Sequence, residues 1–275
     1  MKTVFVTGAS SGIGRATAAH FLSQGWNVVA TMRRPDDASD IFDHERALVV
    51  ALDVTDDALI TDAVAAALDQ FGQIDVLVNN AGYGAYGPLE AFTMDRVQRV
   101  FDTNVIGLLS VMKAVIPNMR ERRSGTIVNV SSVGGQVAFP TGTLYHGTKF
   151  AVEGLSEALH YELEPLGIRV RIVEPGMVKT DFGGRSFDGS SGEAPAEYEP
   201  IIAGTARMFG SLGSNAAEPE TVAGVIWDAA NDSTDQLRYR AGNDGALALL
   251  DDRKTQDDAT FMKGMKERMA GRAPQ

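Results

Sequence analysis

Apolar residues along this chain fall into short unbroken runs, and polar-apolar spacing of helical type fills the intervals. The runs cover 3–7, 27–32, 47–52, 74–79, 125–130, 168–173 and 236–240. Each has the length of a strand, and a continuous Val/Ile/Leu run suits a strand covered on both faces. The intervals 13–24, 56–71, 92–122, 145–165 and 219–230 place apolar residues three and four apart, as an amphipathic helix does. Alternation of this kind predicts repeated strand–helix–strand units. The expected fold is α/β, a Rossmann-type doubly wound sheet of about seven parallel strands with helices on both faces. Residues 1–275 show no linker and no repeat, so one dinucleotide-binding unit is expected.

Two stretches depart from the rhythm. Residues 183–215 are rich in Gly, Ser, Pro and Glu. They follow a strand end, where open α/β sheets bind ligands, so a mobile lid over a substrate is expected there. The tail from Asp251 is charged and is expected to fray at its end.

The first run leads into Thr7-Gly8-Ala9-Ser10-Ser11-Gly12-Ile13-Gly14 and then a helical pattern. Strand, glycine turn and helix is the order that sets an anion on a helix N-terminus. Backbone N–H groups are unpaired there and the dipole favours negative charge. Glycines let a pyrophosphate approach the main chain. The spacing Gly-x-x-x-Gly-x-Gly differs from the usual Gly-x-Gly-x-x-Gly, and no Gly-Lys-Ser/Thr follows, which argues against a P-loop NTPase.

Tyr145 alone among six tyrosines has a lysine four positions on, Lys149. On a helix those side chains share a face. A phenol titrates near 10 and needs nearby positive charge to act as a base at neutral pH. The shift to about 7 corresponds to roughly 4 kcal/mol, more than one partly solvated ammonium supplies, so an oxidised nicotinamide is the expected second charge. Ser132 follows the 125–130 run, where its hydroxyl can polarise a carbonyl oxygen; Ser131 beside it is the competitor. Asn104 lies inside a helical pattern that disfavours asparagine, so a buried partner is expected.

Composition narrows the picture. Lys and Arg total 25 against 36 Asp and Glu, a net charge of −11, which opposes nucleic-acid binding. There is no cysteine, and four scattered histidines form no metal motif, so no metal is expected. No unbroken run of 18 apolar residues occurs and Met1-Lys2 runs straight into a strand, so neither a membrane span nor a signal peptide is expected. A cytoplasmic protein is the resulting expectation.

Taken together in order, Thr7-Gly-x-x-x-Gly-Ile-Gly14, Asn79-Asn80-Ala81-Gly82, Asn104, Ser132, Tyr145-x-x-x-Lys149 and Pro175-Gly176 resemble the short-chain dehydrogenase/reductase family in its branch of roughly 250 residues. Stretches 28–35 and 174–176 resemble its steroid- and retinol-acting subgroup. The resemblance implies an oxidoreductase that exchanges hydride between a nicotinamide and a carbonyl or secondary alcohol. It implies Tyr145 as proton donor in reduction and base in oxidation, and Ser132 as the group that orients the carbonyl. Lys149 would lower the phenol's pKa and hold the ribose, and Asn104 would hold a water in a proton relay. For the cofactor it implies contacts from Gly8, Ser10, Ser11, Gly12, Ile13 and Gly14, from Asp53 and Val54 at the adenine, and from Asn80, Ala81 and Gly82. Pro175, Gly176, Val178 and Thr180 would meet the carboxamide side, and Tyr145 and Lys149 the nicotinamide ribose. A homodimer or homotetramer through 92–122 and 145–165 is also implied.

Cofactor choice follows from charge. NAD-binding relatives place an acid at the end of the second strand for the ribose 2′-OH. Met32 stands there, followed by Arg33 and Arg34. A guanidinium suits a 2′-phosphate, so NADP(H) is expected with Arg33 as its grip, NAD(H) remaining open. The substrate side is expected from 133–144, 83–88 and the lid. Phe139, Pro140, Leu144, Phe182, Phe187 and Met208 suggest an apolar pocket. The alternatives are a dinucleotide-holding isomerase, epimerase or dehydratase, and a non-catalytic redox-sensing regulator.

Overall fold

The computed structural model describes residues 1–38, 40–180, 186–242 and 244–272, without the side chains of Asp37 and Asp244. Its centre is a parallel sheet of seven strands: β1 (Thr3–Val6), β2 (Asn27–Met32), β3 (Ala47–Ala51), β4 (Val76–Asn79), β6 (Gly125–Val130), β7 (Ile168–Pro175) and β9 (Arg238–Ala241). The spatial order is β3-β2-β1-β4-β6-β7-β9. Order reverses beside β1, which opens a crevice at the strand C-termini between β1 and β4. A Rossmann-type α/β fold is therefore the architecture, as the apolar runs require.

Each face of the sheet carries its own core. Val4, Val6, Val28, Val78 and Val128 pack against Phe21 of α1 (Gly12–Ser23) and Ile226 of α7 (Pro219–Asn231). Phe5, Val29, Leu77 and Ile127 face the other way. They meet Ile60 of α2 (Asp57–Phe71), Val111 and Met112 of α4 (Leu108–Arg122) and Val152 of α5 (Thr143–Leu163). Alternate residues of one strand thus serve both cores.

The helical pattern over 92–122 is α3 (Met94–Phe101), a π-helical turn (Asp102–Gly107) and α4. Met94–Arg122 has the length and mean hydropathy, 1.4 over 18 residues, of a membrane-crossing helix by composition alone. Its apolar stripe packs on β4, β6 and α2.

The C-terminal segment forms α8 (Asp244–Thr255) and α9 (Asp258–Met269), with Leu249 and Leu250 buried ahead of the charged tail and Phe261 and Met265 buried within it; the last residues, where fraying is expected, lie outside the described residues. Apolar residues one helical turn apart anchor it, so it is a packed layer up to the described end. Of the expected lid, 183–215, the described part from Ser186 onward forms β8 (Phe187–Gly189), 3-10 turns and α6 (Glu199–Gly213). β8 pairs in parallel with β5 (Gly84–Tyr86). Both strands span three residues, too short to show alternation in sequence. Phe182 lies outside the described residues.

Candidate active site

A cavity of about 950 Å³ lies over the C-terminal ends of the sheet strands. Its nucleotide wall begins at the β1–α1 turn. Gly8 and Gly12 hold φ of +69° and +53°, in the left-handed region open to glycine. Gly14 stands behind the turn, where a Cβ would lie 2.2 Å from the Gly8 carbonyl oxygen. The N-cap of α1, Ser11, makes no side-chain capping bond, so the first N–H groups of the helix remain open to an anion.

β4 is tied to this turn by hydrogen bonds. Thr7 Oγ1 accepts from Asn80 N and Ala81 N at 3.0 Å each. Asn80 Nδ2 donates to Thr7 O at 3.0 Å and Gly8 O at 3.2 Å. Thr7 therefore sets the Asn80-Ala81-Gly82 segment in place, a role its position in the glycine motif does not announce. Asp53 Oδ1 accepts from Thr55 N and Thr55 Oγ1, which fixes the turn after β3.

The predicted cofactor residues converge. Gly8, Ser10, Ser11, Gly12, Ile13, Arg33, Asp53, Val54, Asn80, Ala81, Gly82, Tyr145, Lys149, Pro175, Gly176, Val178 and Thr180 line the one cavity. Gly14 does not line it and acts through close packing. Arg33 is exposed at the cavity rim and makes no ion pair among the described residues. The glycine turn would lose its shape with any Cβ at Gly14, and open helix N–H groups sit beside it. These residues fit a dinucleotide pyrophosphate.

Tyr145 lies in the first turn of α5 and Lys149 one turn further on, both buried. Lys149 Nζ is 5.9 Å from the Tyr145 ring centroid and donates to Val130 O at 2.8 Å. Burial pushes the Tyr145 phenol up to about 12, against a hydrogen bond from Ser132 that lowers it. Ser132 Oγ accepts from Gly134 N at 2.9 Å, which leaves its proton for the phenol. Burial brings the Lys149 ammonium down to about 8, with Glu153 opposing. The chain's own groups thus leave the phenol protonated, opposite to the lowering that lysine alone was expected to start.

Asn104 sits on the π-helical turn, not in a regular helix, and is buried without lining the cavity. Its Oδ1 accepts from Tyr83 N at 3.0 Å, and Nδ2 donates to Tyr83 O at 2.9 Å and Thr148 Oγ1 at 3.1 Å. The partner expected for a buried asparagine is therefore the backbone after Gly82. A π-bulge at this point is a common site feature.

The cavity wall beside Tyr145 is aromatic, where the substrate side is expected. Tyr86 lies 5.3 Å from Tyr145, 6.0 Å from Phe187 and 5.4 Å from Phe209, centroid to centroid. Val133, Phe139, Phe187, Phe209, Leu212 and Ala246 complete it. Of the expected apolar residues, Phe139 and Phe187 line the cavity. Leu144 and Met208 are instead buried in neighbouring cores, and Pro140, in the turn before α5, does not line the cavity. Phe209 and Leu212 fall within the expected lid, 183–215, without being singled out, and Ala246, Arg99 and Thr103 were not legible; no motif marks them.

The comparisons agree with this geometry. The family model for short chain dehydrogenase matches residues 2–190. An uncharacterised oxidoreductase of Schizosaccharomyces pombe is 41% identical over 238 residues, 86% of this chain and 99% of that one. Retinol dehydrogenase 8 of Bos taurus is 37% identical, covering 87% of this chain and 81% of its own. A short-chain dehydrogenase from Streptomyces avermitilis superposes with a TM-score of 0.85 at 36% identity, covering 98% and 97% of the two chains. ElxO with NADP bound (TM-score 0.73, 28% identity, 90% and 99% covered) has the same fold. So does the 3-ketoacyl-(acyl-carrier-protein) reductase of Brucella melitensis complexed with NADH (0.72, 25%, 87% and 96%). The chain belongs to the short-chain dehydrogenase/reductase family, an oxidoreductase family that uses a nicotinamide dinucleotide.

Proposed function

We propose that this chain is an NADP(H)-preferring dehydrogenase/reductase of an apolar carbonyl or secondary alcohol, with Tyr145 as the general acid/base. The observation that carries the proposal is the Ser132–Tyr145 hydrogen bond facing a cavity walled by Tyr86, Phe139, Phe187 and Phe209. A protonated phenol with a serine hydroxyl beside it fits proton delivery to a carbonyl oxygen. The bound nicotinamide supplies hydride and, when oxidised, positive charge. Lys149 adds its ammonium from the same helix face and orients the ribose. Asn104 positions the Tyr83 backbone and keeps one acceptor lone pair on Oδ1 for a relay water.

The cofactor reading rests on Arg33 at the rim and on Met32 where an acid would grip a 2′-OH. NADPH and NADH oxidation over a panel of aldehydes, ketones, steroids, retinoids and quinones tests the reaction class. Absence of turnover across the panel counts against it. Arg33→Asp should cut the NADP/NAD ratio of kcat/KM by about 10–100-fold, the worth of a charge-assisted phosphate contact. An unchanged ratio removes the assignment. Exposed Ile106, Phe150 and Tyr161 on the π-helical turn and α5 favour a dimer or tetramer through α4 and α5, which light scattering checks.

A further inference from the structure

Behind Lys149 lies a charged cluster, buried at Glu153 and Glu174 and open to solvent at Arg238 and Glu157, that hydride transfer does not use. Glu153 follows Lys149 by one turn of α5, on the same face, and is 5% exposed. Arg238 of β9 donates from Nε to Glu153 Oε2 at 2.9 Å and from Nη2 to Glu157 Oε2 at 2.6 Å. Glu174 of β7, 1% exposed, stands 3.7 Å from Arg238 Nε and accepts from Gln136. Arg240 and Lys254 act on Glu174 from β9 and α8. Two buried atoms in this cluster have no hydrogen-bond partner among the described residues, Glu153 Oε1 and Ser131 Oγ. Both approach the same space over Gly135, where an added Cβ would meet them at 3.1 and 2.5 Å.

The arrangement divides the carboxylate. One oxygen is held by Arg238, and the other, without a partner among the described residues, lies in low dielectric, where its charge acts strongly on a neighbouring ammonium. We infer that Glu153 is a positioning residue that keeps the buried Lys149 ammonium charged, with Arg238 fixing one oxygen of the carboxylate. Glu174 is the like charge that Arg238 also has to compensate. Burial alone favours neutral lysine, and Glu153 is the group that opposes it. The consequence for turnover rests on the reaction proposed above; the charge effect itself does not.

The test needs no substrate. With [13C,15N]-lysine incorporated, NMR follows the seven lysine side chains through pH, and Lys149→Met identifies the resonance of interest. In the parent Lys149 should titrate near 8, apart from the exposed lysines. In Glu153→Gln its midpoint should fall by about one pH unit, the low end of the effect of an opposite charge nearby. Glu153→Asp, which keeps the charge, should bring the midpoint back toward the parent value. If the glutamine variant fails to fold, Glu153→Met, which keeps the volume, carries the same expected fall. A midpoint that stays or rises on loss of the carboxylate overturns the inference. Inactivity on every carbonyl with an intact lysine shift would instead overturn the reaction assignment alone.

Discussion

The two walls of the cavity are built by different forces. The nucleotide wall is backbone: two glycines at positive φ, a third packed against a carbonyl, and Thr7 and Asn80 bonding main-chain atoms of the neighbouring strand. The substrate wall is side chains: rings of Tyr86, Phe139, Phe187 and Phe209, held by a charged clasp. Arg96 of α3 donates to Asp188 in a bidentate pair, to Gly189 O at 2.8 Å and to Glu193 at 2.9 Å, with its guanidinium over the Phe92 ring. A backbone wall tolerates almost no residue choice. A side-chain wall can change its rings and keep its fold, which is how one architecture serves many substrates.

Tyr145 stands where the walls meet, and its loss should have the largest effect. Tyr145→Phe should lower turnover by about 10²–10⁴-fold while weakening dinucleotide binding by no more than about tenfold, the worth of one hydrogen bond. Stopped-flow reduction and a fluorescence titration separate the two; turnover above a tenth of the parent breaks the assignment. On the nucleotide wall, Gly14→Ala sets a Cβ against backbone that cannot give way locally. It should destabilise by about 3 kcal/mol, the upper end for an overpacked site, and weaken dinucleotide binding along with stability. A parent-like urea midpoint would show that the turn is softer than the comparison holds.

On the substrate wall the sharper lever is His146. Its Nε2 accepts from Phe139 N at 3.0 Å, so Nδ1 carries the proton donated to Gly134 O at 2.8 Å. Those bonds fix the neutral ring, and burial holds the imidazole down at about 4. Its folded pKa lies below its unfolded one. The stability it contributes is therefore full above about 6.5 and is lost as pH falls toward 4, about 3 kcal/mol in all. Glu174 runs the other way: burial raises its carboxyl to about 7, so its contribution is lost as pH rises from 4.5. Parent stability alone mixes the two. The difference between parent and His146→Gln should shrink between pH 7 and 4 in urea titrations; a difference independent of pH would mean the ring is not held neutral.

The smallest effect is expected at the clasp. Arg96→Ala should raise KM for the substrate by about tenfold, the equivalent of one charge-assisted bond in a partly exposed setting, with the dinucleotide constant unmoved. If dinucleotide binding weakens equally, the clasp serves both walls and the separation between them fails.

The same difference explains what was legible. The strands, the glycine turn and the Tyr145–Lys149 pair are local patterns, in which neighbours in sequence carry the signal. Asn104 was legible as an oddity, an asparagine where a helix should be, yet the π-helical turn that houses it was not. The clasp joins residues more than ninety positions apart, and Phe209, Leu212 and Ala246 reach the cavity from helices whose apolar faces look like ordinary core. The packing of the tail was not legible for the same reason. Its charges dominate composition, while Phe261 and Met265 decide where it packs.

Sequence alone determined the sheet, because continuous apolar runs must be covered on both faces. It also determined the dinucleotide turn, because only glycine meets its φ angles and close approach. Tertiary structure alone decided which aromatic rings line the cavity, how Glu153 and Arg238 lie behind Lys149, and that burial raises the Tyr145 phenol further. Those depend on burial and on charges brought together from distant parts of the chain, and neither is encoded at any one position.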